Sequence, residues 1–167
     1  MNGLLVNLAR LLRLRSGPQN LPGAWSLTIF LLTAYMVQNL VTGQQLEDQN
    51  AAAKSLLAVC LQISVLTGLL LWRGHLERFA QTMSALAAAG IFFNIVTWVL
   101  LSLSDPTVNQ PILAMAWFAV FIWSLFVDAH IYRNALSVPF SIGMLVTVLI
   151  LAASYVLIEM LFIFGNS

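Results

Sequence analysis

The chain has 167 residues, a length that suits one domain of ordinary size. Apolar residues make up 60% of it and charged residues 8%, and its mean hydropathy is +0.92, whereas about a quarter of the residues in a soluble domain are charged. A chain of this composition cannot hide its apolar surface from water within itself, which excludes a soluble domain and indicates a protein whose solvent is the bilayer. The net charge of +1 argues against nucleic acid as a partner, because binding phosphates needs a basic patch.

Residues 1–23 are predicted to form an amphipathic helix and a turn. Over residues 4–15 (LLVNLARLLRLR), helical spacing separates a face of leucines from a face that carries Arg10 and Arg13. This pattern is typical of a helix that lies in the membrane interface with its arginines toward anionic headgroups. A signal peptide is the alternative, but no A-x-A-like cleavage site follows the apolar run. The leucines of the apolar face are Leu4, Leu5, Leu8, Leu11 and Leu12.

Residues 24–167 contain five apolar runs, each long enough for a transmembrane helix. A bilayer core about 30 Å thick needs about 20 residues of helix, and polar, Gly-bearing or Pro-bearing turns separate the runs. The sequence therefore predicts an all-α membrane bundle with five transmembrane helices and an amino-terminal interfacial helix. The predicted spans are about 24–42, 55–72, 80–103, 111–131 and 140–164.

The basic residues predict the orientation of this bundle. Six of the seven lysines and arginines fall on one side of a five-span topology. The other side carries Lys54 together with Glu47, Asp48 and Asp105. Because basic residues accumulate on the cytoplasmic side, the amino terminus is expected in the cytoplasm and the carboxyl terminus on the opposite side. The six arginines are Arg10, Arg13, Arg15, Arg73, Arg78 and Arg133.

Known catalytic and cofactor motifs are missing from the sequence. It contains no Gly-rich phosphate loop, no G-x-S-x-G and no H-E-x-x-H. Cys60 alone can form neither an internal disulfide nor a zinc site, and it fits a packing role. His75 and His130 could ligate haem iron, or a metal together with Asp128, but their predicted depths do not match. We therefore expect no enzyme, no cofactor and no metal site.

The stretch FVDAHIYRNAL (126–136) places several functional side chains at the predicted end of the fourth span. Helical spacing puts Asp128 one turn from Ser124 and from Tyr132, and points it away from His130. This spacing divides the stretch between two faces of one helix.

The helix dipole gives these residues different roles. The side chains of His130 and Arg133 interact favourably with the negative end of the helix dipole. The negative charge of Asp128 is unfavourable there and needs a positive partner, for which Arg73 or Arg78 is the candidate. We prefer a structural ion pair for Asp128 over a ligand site. The predicted cytoplasmic contact face consists of Arg73, His75, Arg78, Asp128, His130 and Arg133.

A second polar group lies within the predicted spans. Glu159 is placed about 8 Å below the outer surface, and an ionisable residue at such depth is a candidate for function. The group could line a cleft that opens outward, with Lys54 reaching toward Glu159. We prefer the alternative, in which the amides hydrogen-bond between helices. The members are Gln38, Asn39, Lys54, Gln62, Asn94 and Glu159.

Small residues recur at spacings that let helices approach closely. They occupy residues 84–90 (SALAAAG) in the third span, and Ser64 and Gly68 in the second. Packing inside one bundle is the preferred interpretation. A face for a homo-oligomer is the alternative.

Three short motifs give the chain a resemblance to a family. They are LRSGPQNLP (14–22) before the first span, ERFAQTMSAL (77–86) at the start of the third and DAHIYRNALSV (128–138) at the end of the fourth. The chain resembles small uncharacterised proteobacterial inner-membrane proteins with a Yip1-like arrangement of five spans. The resemblance covers most of the chain and implies a bacterial inner-membrane location without an assigned reaction or catalytic residues. Eukaryotic Yip1 proteins are linked to vesicle trafficking, a role that a bacterial relative need not share.

Two functions follow as expectations. The first is a non-enzymatic accessory or scaffold protein that contacts another membrane protein or lipid through the cytoplasmic contact face. The alternative is a small transporter or permeation-pathway component that uses the polar group around Glu159. Five spans give no pair of inverted repeats, which counts against this alternative.

Overall fold

The computed structural model describes residues 2–45, 50–105 and 109–163. Within these residues the chain is all-helical, with a short amino-terminal helix followed by five long ones. Each long helix has the length and the apolar composition needed to cross a membrane, which confirms the prediction of a five-span helical protein. Glu47 and Asp48, which the orientation prediction uses, lie outside the described residues. The helices are α1 (Asn2–Leu12), α2 (Trp25–Gln45), α3 (Ala51–Arg73), α4 (Phe79–Ser102), α5 (Pro111–Leu136) and α6 (Phe140–Ile163).

Helix α5 extends further than the sequence predicted. The predicted span ended at residue 131 and left 132–139 as a turn, whereas the helix continues to Leu136. Neither Gly nor Pro interrupts residues 132–136, and the side chains of Tyr132 and Leu136 are buried in the bundle. The helix ends at Ser137, which adopts the left-handed conformation with φ 53°. Residues of α5 such as Asp128 therefore lie farther from the end of their helix than the sequence predicted.

The long helices form a closed ring. Their order around the ring is α2, α4, α5, α6 and α3, and α3 packs against α2 to close it. Helix α4 is the most enclosed, since residues 82–89 are all buried. Small side chains in this segment allow the neighbouring helices to approach closely.

Residues 2–21, here called the amino-terminal hook, pack against α4 and α5. Leu11 and Leu12 are buried in the apolar core of the bundle, while Leu5 remains 65% exposed. Leu14 then reverses the chain through a left-handed conformation with φ 59°. The leucines of α1, which were predicted to face the membrane, therefore fall into two groups. Those near the carboxyl-terminal end of the helix pack against the protein.

The two ends of the ring are packed differently. Arg73, Arg78 and Arg133 mark one end, called here the arginine end, and Lys54 lies toward the opposite end. In the described residues 51–58, 94–102, 111–126 and 148–162, which belong to the opposite halves of α3 to α6, no side chain is buried. The ring is therefore closed at the arginine end and loosely packed at the other.

Candidate intramembrane binding site

A polar cavity lies inside the ring. It has a volume of about 180 Å³, and residues of α2, α3, α4 and α5 form its walls. Leu86, Ala87, Gly90 and Phe93 make up the α4 wall together with Asn94. A cavity of this size can hold several water molecules when its walls are polar. Its polar lining residues are Tyr35, Gln62, Asn94, Ser124 and Asp128.

A second cavity of about 250 Å³ adjoins the first on the side of α6. Helix α6 contributes Thr147 and Ser154 to its wall, and α5 contributes Tyr132. The two cavities share four polar residues, so Asp128 faces the space between all five long helices. The shared residues are Tyr35, Gln62, Ser124 and Asp128.

The cavities lie near the middle of the helices. Tyr35 and Gln62 stand at the centres of α2 and α3, about 15 Å from the ends of their helices. Asp128 is about 12 Å along the helix axis from Leu136 at the arginine end. These depths place a carboxyl group within a membrane span, where ionisable residues are rare and costly.

The predicted ion pair of Asp128 is not formed. Among the described residues, Asp128 makes no ion pair within 4 Å and no side-chain hydrogen bond. The physical reason is the greater length of α5, which draws Asp128 into the ring and away from the loop that carries Arg73 and Arg78. Of the residues that the structure describes, neither a Lys nor an Arg lines the two cavities.

Arg73 and Arg78 bind the end of α5 instead. Arg78 Nη1 donates to the carbonyl oxygens of Asn134 and Ala135, both at 3.3 Å, and to Ser137 Oγ at 2.8 Å. Arg73 Nε donates to the carbonyl oxygen of Leu136 at 3.3 Å. The last carbonyl groups of a helix lack partners within it and carry its negative dipole end, so the guanidinium groups satisfy them.

In the described part of the chain, two side-chain hydrogen bonds join helices around the cavities. Gln62 Nε2 donates to the hydroxyl oxygen of Tyr132 at 3.4 Å and links α3 to α5. Asn94 Nδ2 donates to Asn39 Oδ1 at 2.9 Å and links α4 to α2. Gln62 and Asn94 therefore take part in interhelical hydrogen bonds and also line the first cavity.

The remaining members of the predicted intramembrane group stand apart from the site. Gln38, Lys54 and Glu159 do not line either cavity. Lys54 Nζ lies 5.9 Å from the centroid of the Phe162 ring, one turn beyond Glu159 on α6. The structure thus divides the predicted group, and it adds polar residues that the sequence analysis did not assign to a site. The added residues are Tyr35, Ser124, Tyr132, Thr147 and Ser154, and they are joined by Asp128, which the sequence had assigned to the cytoplasmic contact face.

The predicted cytoplasmic contact face is also divided. Arg133 is exposed, and His75 Nδ1 lies 3.5 Å from Glu77 Oε1 at the surface. His130, however, is buried, with Nε2 located 3.1 Å from the carbonyl oxygen of Ser16 in the amino-terminal hook. Since Asp128 faces the cavities, the six predicted residues do not share one surface.

Helix α5 holds the hook at two points. Besides the contact of His130, Trp123 Nε1 donates to the carbonyl oxygen of Leu12 at 3.1 Å. These contacts are about 10 Å apart along α5. The Trp123 ring packs edge-on against Phe93, with 5.2 Å between ring centroids, and Phe93 lines the first cavity. The hook therefore supports one wall of the site from outside the ring.

The described residues contain no group of three His, Cys, Asp or Glu side chains that could hold a metal ion. The fold and the composition define a multi-pass membrane protein with a polar cavity inside its helical ring. No family model, no curated protein and no solved structure matches the chain. The resemblance to Yip1-like inner-membrane proteins therefore stays a prediction, and the residues of the site are what supports a function.

Proposed function

We propose that the protein is a small transporter or permeation-pathway component that binds protons or small monovalent cations at Asp128. The observation that carries the proposal is a carboxyl group between two intramembrane cavities, without an ion pair among the described residues. An ionised carboxylate in such a place is costly unless an opposite charge neutralises it. With neither Lys nor Arg in the cavity walls, a proton or a cation from outside the chain has to supply that charge.

The neighbouring groups suit a small cation. Tyr35, Gln62, Asn94 and Ser124 each bring a neutral oxygen atom to the first cavity, which is the ligand type that hard cations prefer. One carboxylate balances one positive charge. This ligand set therefore favours a proton or a monovalent cation over a divalent one.

The packing of the ring favours access from one side. Buried apolar side chains close the arginine end, among them Leu66, Leu70 and Met83. The opposite halves of the helices are loosely packed. We infer that the cavities are entered from the end opposite the arginines, which is the periplasmic side if the arginines face the cytoplasm of a bacterial inner membrane.

The proposal differs from both functions expected from the sequence. The accessory or scaffold function depended on a contact face of six residues. Two of these, His130 and Asp128, do not lie on that surface in the structure. The transporter alternative depended on Glu159, which lies outside both cavities. Asp128 takes the place of Glu159 as the carboxyl group of the proposed pathway, and no chemical reaction is assigned to the protein.

Ion flux into liposomes tests this proposal. The purified protein is reconstituted, and the entry of H⁺, Na⁺ and K⁺ is measured with internal indicator dyes for the wild type, Asp128→Asn and Glu159→Gln. Both substitutions change one carboxyl into an amide, so they are matched in size and charge. We expect flux that Asp128→Asn reduces to the level of protein-free liposomes and that Glu159→Gln preserves. Wild-type flux in Asp128→Asn, or wild-type liposomes that match protein-free ones for all three ions, would contradict the proposal.

A further inference from the structure

The amino-terminal hook carries a basic groove that the proposed function does not use. The groove has a volume of about 410 Å³ and runs along α1 and the turn that follows it. Val6 and Ala9 form its apolar part. Its basic lining residues are Arg10, Arg13 and Arg15.

The end of α1 brings two of these arginines together. Arg15 N donates to the carbonyl oxygen of Arg10 at 2.8 Å, and Leu14 N donates to the carbonyl oxygen of Leu11 at 2.9 Å. With Leu14 in the left-handed conformation, these bonds form a Schellman motif. In this motif the positions of Arg10 and Arg15 commonly hold a hydrophobic contact, whereas here both side chains are positively charged.

The positive charges of the groove have no partner in the protein as described. None of the three arginines lies within 4 Å of a carboxylate among the described residues. Three like charges around one groove repel one another, and an anion between them removes that repulsion. Guanidinium groups match phosphate in particular, because their planar N–H donors bind two of its oxygens at once.

We propose that this groove binds the phosphate group of an anionic phospholipid. Exposed apolar side chains on the same helix distinguish a lipid from a free phosphate: Val6 lines the groove and is 46% exposed, and the preceding residue, Leu5, is 65% exposed. Acyl chains can cover these side chains while the headgroup phosphate lies among Arg10, Arg13 and Arg15. The hook is fixed on α5 through Trp123 and His130, so the groove has a defined place on the protein.

Thermal unfolding of the intact protein in a neutral detergent tests the proposal. The probes are dioctanoyl phosphatidylglycerol, dioctanoyl phosphatidylcholine and glycerol 3-phosphate, and tryptophan fluorescence reports unfolding. A lipid that binds only the folded state raises the unfolding temperature with concentration. We expect phosphatidylglycerol to raise it for the wild type, and phosphatidylcholine and glycerol 3-phosphate to have much smaller effects at equal concentration.

Single substitutions then locate the site. Arg10→Gln, Arg13→Gln and Arg15→Gln should each weaken the apparent affinity for phosphatidylglycerol about fivefold, and the triple variant about 100-fold. Arg133→Gln is the control, because Arg133 is an exposed arginine away from the groove. Phosphatidylcholine also contains a phosphate, but its choline group cancels the charge, so an equal effect of this lipid would overturn the selectivity for an anionic headgroup. An equal effect of glycerol 3-phosphate would overturn the lipid as the source of the phosphate. The proposal also fails if the wild type does not respond to phosphatidylglycerol, or if Arg133→Gln weakens binding as much as the three single variants.

Discussion

The ring of Tyr35 lies directly on Gly90, and a Cβ atom at position 90 would stand only 2.6 Å from Cε2 of that ring. Tyr35 lines both cavities and Gly90 lines the first. Because glycine has no Cβ atom, the ring of Tyr35 has room at this point of the cavity wall. At this point the small-residue segment of α4 shapes the candidate site in addition to bringing helices together.

Gly90→Ala should therefore destabilise the bundle. The added methyl group has to displace Tyr35, and overpacking of this kind costs about 1–3 kcal/mol. Gly68→Ala is the matched control, since a Cβ atom at position 68 of α3 meets open space. There the higher helix propensity of alanine predicts a change between zero and about 1 kcal/mol of stabilisation. The free energy of unfolding in mixed micelles, measured by circular dichroism, checks both, and equal values for the two variants would contradict the role of Gly90.

A double-mutant cycle distinguishes the observed roles of Arg78 and Asp128 from the ion pair that the sequence predicted. Arg78→Gln should lower the free energy of unfolding by about 1–2 kcal/mol, because it removes hydrogen bonds from a charged donor to the end of α5. Since Arg78 and Asp128 share no contact, their effects should add to within about 0.5 kcal/mol. A coupling energy well above this value between Arg78→Gln and Asp128→Asn would show that the two side chains form the ion pair after all.

Trp123→Phe should loosen the amino-terminal hook while keeping an aromatic ring against Phe93. The substitution removes the donor to the carbonyl oxygen of Leu12, a loss of about 1 kcal/mol. Hydrogen exchange measured by mass spectrometry should become faster in residues 2–21. Trp98→Phe is the control, because Trp98 is partly exposed on α4 and its ring makes no described contact with the hook. Unchanged exchange in the hook of Trp123→Phe would show that this bond does not hold it.

Cysteine labelling on intact cells tests the proposed orientation. In a Cys60→Ala background, Asn109→Cys precedes α5 at the end opposite the arginines, and Glu77→Cys lies between α3 and α4 at the arginine end. A maleimide that cannot cross membranes should label Asn109→Cys from outside, and Glu77→Cys only after the membrane is disrupted. The reverse pattern would invert the topology.

The sequence predicted the number of spans because length and apolar composition alone decide whether a helix can cross a bilayer. It placed the end of α5 too early, because Arg133 and Asn134 suggested a departure from the membrane. In the structure Arg133 is exposed on the outside of the bundle while its neighbour Tyr132 is buried. Polar residues near the end of a span therefore do not by themselves mark the end of the helix.

The candidate site could be predicted only in part. The spacing of Ser124, Asp128 and Tyr132 does indicate one polar face of α5, and all three residues line the second cavity. Which residues meet them depends on the order and rotation of the other helices in the ring. The spacing of residues along one helix does not give this information, so the part that Tyr35 plays in the site became visible only with the packing of α2 against α4.

Cysteine accessibility at position 128 tests most directly whether Asp128 faces a water-filled cavity within the membrane. In the Cys60→Ala background, Asp128→Cys and Ser124→Cys are treated with a small, positively charged methanethiosulfonate, added only on the side opposite the arginines. Phe118→Cys is the control, because Phe118 is 66% exposed on the outside of the same helix, where lipid rather than water is expected. We expect both cavity positions to react and Phe118→Cys to remain unmodified. An Asp128→Cys protein that stays unmodified under these conditions would contradict the intramembrane site.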